Sequence, residues 1–191
     1  MITELFPITD YSKLQHDTEG LYSITNFNDA DNISNLLLEN FINNKILNIL
    51  DGTGGLGGNT ISFSKYFKNV TSIEINHARY EMLKNNLDAY NLKNVIVGNC
   101  DSIEYLFNNY SKYNIFFFDP PWGGPSYKKK ENLTLTMCNI PLLKIANFLK
   151  EHTKDKILVY KLPFNYNFNE FNGHDYKLYK INKYYIIVIL I

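Results

Sequence analysis

Apolar positions along this chain fall into short, nearly continuous runs separated by amphipathic stretches. "KILNIL", 45–50, predicts a strand, and so do "VTSIEI", 70–75, "NVIVG", 94–98, "YNIFFFD", 113–119, and "KILVYKL", 156–162. Between them the spacing turns helical. The stretch 25–42 puts Ile33, Leu36, Leu37 and Phe41 on one face, a helix runs through Ser62 to Tyr66, and 76–91 is amphipathic. Shorter helices are predicted over 101–109 and 138–151, and the tail predicts two strands around a turn near Asn182. Residues 1–22 are weakly patterned. Strands alternating with helices imply an α/β fold with a mostly parallel sheet and helices on both faces. The terminal pair adds an antiparallel edge and brings the count to seven. In such sheets ligands sit beyond the carboxyl ends of the strands, so the loops after the strands carry the chemistry.

Composition narrows the class. A length of 191 residues fits one domain, and 45% hydrophobic with 20% charged residues is ordinary for a globular chain. No apolar run is long enough to span a membrane, and "MITELFPITD" lacks the basic start and apolar core of a signal peptide. The two cysteines, Cys100 and Cys138, make no disulfide framework and no metal spacing. We therefore expect an intracellular protein, in cytoplasm rather than nucleus, monomeric, with no membrane and no metal. The four histidines, His16, His77, His152 and His174, are read as surface residues. A formal net charge of zero argues against a broad basic surface for long nucleic acid but not against reading one nucleotide.

The loop "DGTGGLGGNT", 51–60, follows the first strand and opens a helix. Its glycines let backbone lie close to a ligand. No GK[ST] follows, so it is not a phosphate-cradling P-loop. Asp51 would repel a pyrophosphate but suits a ligand carrying an ammonium and a sulfonium, such as S-adenosylmethionine (SAM). Gly52, Thr53, Gly54 and Gly55 would line it. Glu74, ending the second strand, can take two ribose hydroxyls, and Asp101, just beyond the third, can accept from an adenine amine. The plain alternative for each acid is a helix N-cap. Cys100 would form a small apolar wall beside Asp101, or be an ordinary buried thiol.

The fourth strand runs into "DPPWGGPSY", 119–127. An exocyclic amine on a base is conjugated and a poor nucleophile, so its N–H groups must be held while its lone pair is aimed at the methyl group. Asp119 and the Pro120 carbonyl supply two acceptors, the prolines fix the backbone, and the aromatic holds the base. Alignment then supplies most of the catalysis. Trp122, the single Trp, is the best partner for a cationic ring such as 7-methylguanine. Tyr127 and Lys128–Lys130 follow, and suit phosphates. The bland reading of that lysine run is a solvated loop.

"GGNT", 57–60, "PPWGGPSY", 120–127, and "EGLYSIT", 19–25, together resemble the RNA cap guanine-N2 methyltransferase family, of Rossmann-like, class I SAM-dependent fold, over roughly 19–162. The resemblance implies 7-methylguanosine-capped RNA as substrate and the N2 amine as methyl acceptor. It implies that Trp122 stacks on the base, Ser23 lies against it, Thr25 lies near SAM, Tyr127 touches the cap phosphates, and Pro120 presents its carbonyl; Lys128, from the lysine run, would join Tyr127 at those phosphates. Residues 1–22 would form an N-terminal segment packing near that site, and 23–191 the methyltransferase domain. Two departures stand out: Asp119 replaces the family's usual Ser, and Phe164 replaces a basic residue after Leu162-Pro163, with Lys161 shortly before it, so that a phosphate contact is missing or relocated. The rivals are a methyltransferase of adenine N6 or guanine N2 in structural RNA, a small-molecule or protein-glutamine methyltransferase, and a catalytically silent cap-binding subunit.

Overall fold

The computed structural model describes residues 2–8, 10–41 and 47–191; the Phe41 side chain, Ile42 and the Lys45–Ile46 start of the first expected strand lie outside the described residues. The chain forms two compact units, Met1–Ser102 and Ile103–Ile191. In the first, short 3-10 turns lead into α1 (Thr18–Ser23) and α2 (Phe27–Phe41). Then come β1 (Asn48–Asp51), α3 (Gly58–Tyr66), β2 (Asn69–Ile73), α4 (His77–Ala89) and β3 (Val95–Gly98). The strands run parallel in the order β3–β2–β1, with Val70 opposite Ile49 and Val95.

The second unit continues from α5 (Ser102–Asn109) into β4 (Ile115–Phe118) and the short strands β5 (Thr136–Met137) and β6 (Ile140–Pro141). It ends with α6 (Leu142–His152), β7 (Ile157–Pro163), β8 (Asp175–Ile181) and β9 (Tyr184–Leu190). Here β4 and β7 are parallel, and β9 and β8 follow as antiparallel partners. With the first three strands they complete a seven-stranded, mostly parallel α/β fold with an antiparallel C-terminal edge. Every residue of β4 and β7 is buried, which is why β4 reads as an unbroken apolar run and β7 as one interrupted at Lys161. The outermost β8 exposes Asp175, Lys177 and Lys180 along with Leu178, and its charges discourage further pairing at this edge.

One boundary departs from the pattern. The helix expected from residue 138 begins at Leu142, because Cys138 and Asn139 both take left-handed backbone, φ 48° and 64°, and close the β5–β6 hairpin. The turn near Asn182 is as expected, with φ 50° at that residue.

Residues 1–22 are tied into the first unit. Phe6 and Leu14 pack with Leu56, Ile61, Leu83 and Leu87 in one apolar cluster. Asn86, wholly buried on α4, donates to the carbonyls of Gln15 and Leu56, both at 3.0 Å, and accepts the Gln15 N–H at 2.8 Å. Arg79 bonds Asp17 and Glu19, each at 3.0 Å. Burial opposes ionisation of Asp17, but Arg79 and the Gly20 N–H hold its carboxyl below the usual range. Asn86→Ala orphans three backbone groups at once. It is expected to lower unfolding free energy by about 2 kcal/mol in chemical denaturation; an unchanged transition would mean that water replaces the amide.

Candidate active site

The first unit builds its site on the turn from β1 into α3. Gly57 caps α3 in left-handed conformation, φ 102°, and a Cβ on Gly54 would come within 2.5 Å of Ser72 Oγ. The Gly54 N–H donates to the Ile73 carbonyl at 2.8 Å, fixing the loop to the end of β2. Asp51 is fully buried and accepts the Thr53 N–H at 3.1 Å and the Thr60 hydroxyl at 2.7 Å. Its carboxylate braces the glycine turn from within, a role the sequence reading did not foresee. Glu74 is also buried. Its Oε2 accepts the Gly55 N–H and its Oε1 the Asn76 N–H, both at 2.9 Å. Each carboxylate oxygen has a second lone pair for a ligand hydroxyl.

Thr25 and Asn59 join this loop. The Thr25 hydroxyl accepts from Asn59 Nδ2 at 3.1 Å, and a Cβ on Gly58 would come within 2.5 Å of the Thr25 carbonyl. Asn59 Oδ1 is buried without a hydrogen-bond partner. Ser23 is exposed at the end of α1, its hydroxyl 3.4 Å from the Gly20 carbonyl. Asp101 is half-buried immediately before α5. Two buried carboxylates, an orphan amide oxygen, and Gly55 at φ 54°, where an added Cβ would come no nearer than 3.9 Å to the Thr53 carbonyl, match a ligand with an ammonium and vicinal hydroxyls. SAM carries both.

The second unit carries the motif after β4. Phe118 pairs with Tyr160 in the parallel register, so the next residues, Asp119 and Lys161, fall opposite one another. Lys161 Nζ donates to Asp119 Oδ2 at 2.6 Å, with side-chain exposures of only 6% and 17%. Burial pushes the Asp119 carboxyl up, while the Lys161 charge and its hydrogen bond pull it down. The Trp122 indole Nε1 is buried and makes no hydrogen bond of standard geometry, yet it leans near enough to this carboxylate to favour its charged form. Lys161 Nζ also lies 5.4 Å from the Trp122 ring and 4.8 Å from the Tyr184 ring. Tyr184 reaches it because Pro163 pairs with Tyr184 and Lys161 with Ile186, which places Lys161 and Tyr184 diagonally on one face.

Pro120 is buried and Trp122 half-buried. Gly123 and Gly124 take φ 89° and 68°, so the chain folds back into the turn Pro125–Lys129. That places the buried Tyr127 ring edge-on to Trp122 at 5.2 Å. Tyr127 is thus a wall for the Trp. Lys128, Lys129 and Lys130 are exposed beyond it.

The structure therefore gathers Thr25 with Asp51, Gly52–Gly55 and Glu74 in one unit, and Asp119, Pro120, Trp122, Tyr127 and Lys128 in the other. Two expectations are corrected. Cys100 is exposed rather than a buried wall. His174 is half-buried, its Nε2 2.9 Å from Asn147 Oδ1, and burial lowers its pKa, reinforced by Lys150. Lys161, which the sequence left without a role, pairs with Asp119. Sequence reasoning missed the Lys161 pairing, Tyr184 and the orphan oxygen of Asn59. The available signal was Lys161 within "KILVYKL", an ammonium inside an apolar run, which buried strands do not tolerate without a counter-ion.

The profile of the RNA cap guanine-N2 methyltransferase family matches residues 46–189. An uncharacterized protein of Acanthamoeba polyphaga mimivirus is 36% identical, across 93% of this chain and 78% of that protein. Trimethylguanosine synthase of Schizosaccharomyces pombe is 35% identical, across 64% of this chain and 52% of its own length, so the chain spans about half of that relative. Among solved structures, a putative Escherichia coli methyltransferase, yhhF, matches at TM-score 0.57 and 19% identity, covering 88% of each chain. The Thermus thermophilus 16S rRNA N2 G1207 methyltransferase, solved with AdoMet and guanosine, matches at 0.63 and 15%, covering 92% of this chain and 43% of that one. The chain has the fold of class I SAM-dependent methyltransferases and belongs to the RNA cap guanine-N2 methyltransferase family.

Proposed function

We propose that this protein transfers a methyl group from SAM to the exocyclic N2 amine of a 7-methylguanosine cap. The observation that carries the reading is the Asp119-Pro120-Pro121-Trp122 element at the end of a fully buried strand, in a chain of this family. Bound SAM supplies an electrophilic methyl on a sulfonium. Glu74 and Asp101 take the ribose and adenine side, the Gly52–Gly55 backbone lies along the ligand, and Thr25, with the Asn59 orphan oxygen, takes the amino-acid end. Trp122 holds the base by stacking, and Ser23 borders it. The Asp119 carboxylate and Pro120 carbonyl accept from the amine N–H groups and point its lone pair. After transfer the product ammonium is strongly acidic, so Asp119 need not be a strong base. Tyr127 keeps Trp122 in place beside the phosphates, which Lys128 meets.

Labelled SAM incubated with 7-methyl-GDP and, in parallel, with GDP tests this, with product masses recorded. Transfer to the 7-methylated nucleotide alone is expected, and the mass counts the methyls added. Equal transfer to GDP, or transfer to neither, overturns the reading. Trp122→Ala is expected to lower turnover by about 100-fold through misplacement of the base while SAM binding is retained.

A further inference from the structure

A lysine in mid-strand, 5% exposed, is a costly choice for a sheet interior unless its charge is used. We infer that Lys161 is a positioning and specificity residue: its ammonium fixes the Asp119 carboxylate and cancels its charge beside Trp122, leaving the base pocket with no net charge. This rests on the cap reading and deepens it. The 2.6 Å contact fixes the carboxylate against a strand rather than a loop. The same ammonium faces Trp122 and Tyr184, so a cationic base that enters meets it. The Asp119 charge is what keeps that encounter from being repulsive. Lys161 from β7 is the charged group facing Asp119, and Tyr184 from β9 stands across Lys161.

Trp122, as the single Trp, reports this pocket by fluorescence without any added label. Titrations with 7-methyl-GDP and GDP compare wild type, Asp119→Asn, Lys161→Met, the double variant and Lys161→Arg. Asp119→Asn removes the negative charge that Lys161 contacts and is expected to weaken 7-methyl-GDP relative to GDP by about tenfold. The double variant restores the ratio, and Lys161→Arg keeps it. A ratio that does not move in Asp119→Asn, or is not restored in the double variant, overturns the proposal. A ligand-free readout separates its failure from that of the cap reading. Without Lys161 the Asp119 carboxyl protonates at higher pH, so the acid limb of the Trp122 emission moves upward in Lys161→Met. If wild type ignores both nucleotides but this limb moves, the cap reading fails and the pairing stands; an unmoved limb sinks the pairing.

A separate observation supports a second site. A groove of about 520 Å³ is walled by Lys128, Lys129 and Lys130, with Glu131 among them, and by Phe164 and Asn165. The walls are fixed to one another: Asn165 Nδ2 donates to the carbonyls of Tyr127 at 2.8 Å and Lys130 at 2.6 Å, and the Leu133 N–H donates to the Asn165 carbonyl at 2.9 Å. Phe164 is 55% exposed although it follows a fully buried strand. Cations beside an open aromatic ring are the chemistry of single-stranded nucleic acid, phosphate on the ammonium groups and base on the ring. We propose that this groove takes the nucleotide that follows the cap phosphates, with Phe164 as its stacking platform.

Binding of 7-methyl-GDP, a capped dinucleotide and an uncapped 5′-triphosphate dinucleotide tests this in wild type and Phe164→Ala. The added nucleotide is expected to tighten binding by about tenfold, and Phe164→Ala to remove that gain while sparing 7-methyl-GDP. No gain from the nucleotide, or equal loss for 7-methyl-GDP, overturns the site. Salt-dependent binding of the uncapped dinucleotide that falls in Phe164→Ala would uphold the groove even if the cap were not the substrate.

Discussion

A strand buried on both faces has one place to present polar chemistry, its end, and the register between β4 and β7 decides what meets there. Because Phe118 is opposite Tyr160, Asp119 falls opposite Lys161, and two charges that neither strand could hold alone become mutually tolerable at 2.6 Å. From that pair the rest of the second unit's site follows. Trp122 is three residues along a chain stiffened by two prolines, Tyr184 arrives by antiparallel pairing with Pro163, and Tyr127 closes on Trp122 because two left-handed glycines return the chain.

The first unit solves a different problem, how to keep a glycine-rich turn in one shape. Its acids answer with backbone bonds. Asp51 accepts from Thr53 and Thr60, and Glu74 from Gly55 and Asn76, so the loop is organised by the same carboxylates that a cationic, hydroxyl-bearing ligand would use. Such a loop needs little rearrangement when ligand binds. The N-terminal segment adds to this order, since Asn86 ties Gln15 to the Leu56 carbonyl and Gly58 closes on Thr25.

Much of this was legible in the sequence. Period and run length gave the alternation of elements, and the acids after β1 and β2 were readable as a set because strand ends are where such sheets place function. What escaped reading depends on pairing across strands. Lys161 went without a role because sequence does not state register, and Tyr184 was one more residue of a predicted terminal strand. The hairpin at Cys138 and Asn139 escaped for a local reason. A Cys in left-handed backbone has no propensity signal, and the apolar residues beyond it continued a helical pattern. Cys100 was expected to be buried because thiols usually are, but it stands exposed just past the end of β3.

Charge links these levels. The chain has no net charge, so any selection by charge must come from a local arrangement. A neutral ion pair beside an aromatic ring is a suitable device for a cationic base, because either charge alone would distort discrimination. The ammonium alone would repel it, and the carboxylate alone would hold any cation. The pair instead leaves shape and the π-face of Trp122 to discriminate, while one oxygen of Asp119 is held by Lys161 and the carboxylate remains an acceptor for an amine. On this reasoning the replacement of a hydroxyl by a carboxylate at residue 119 is coupled to a lysine at 161. Each offsets the charge of the other, and the register of β4 on β7 is what sets the two opposite one another.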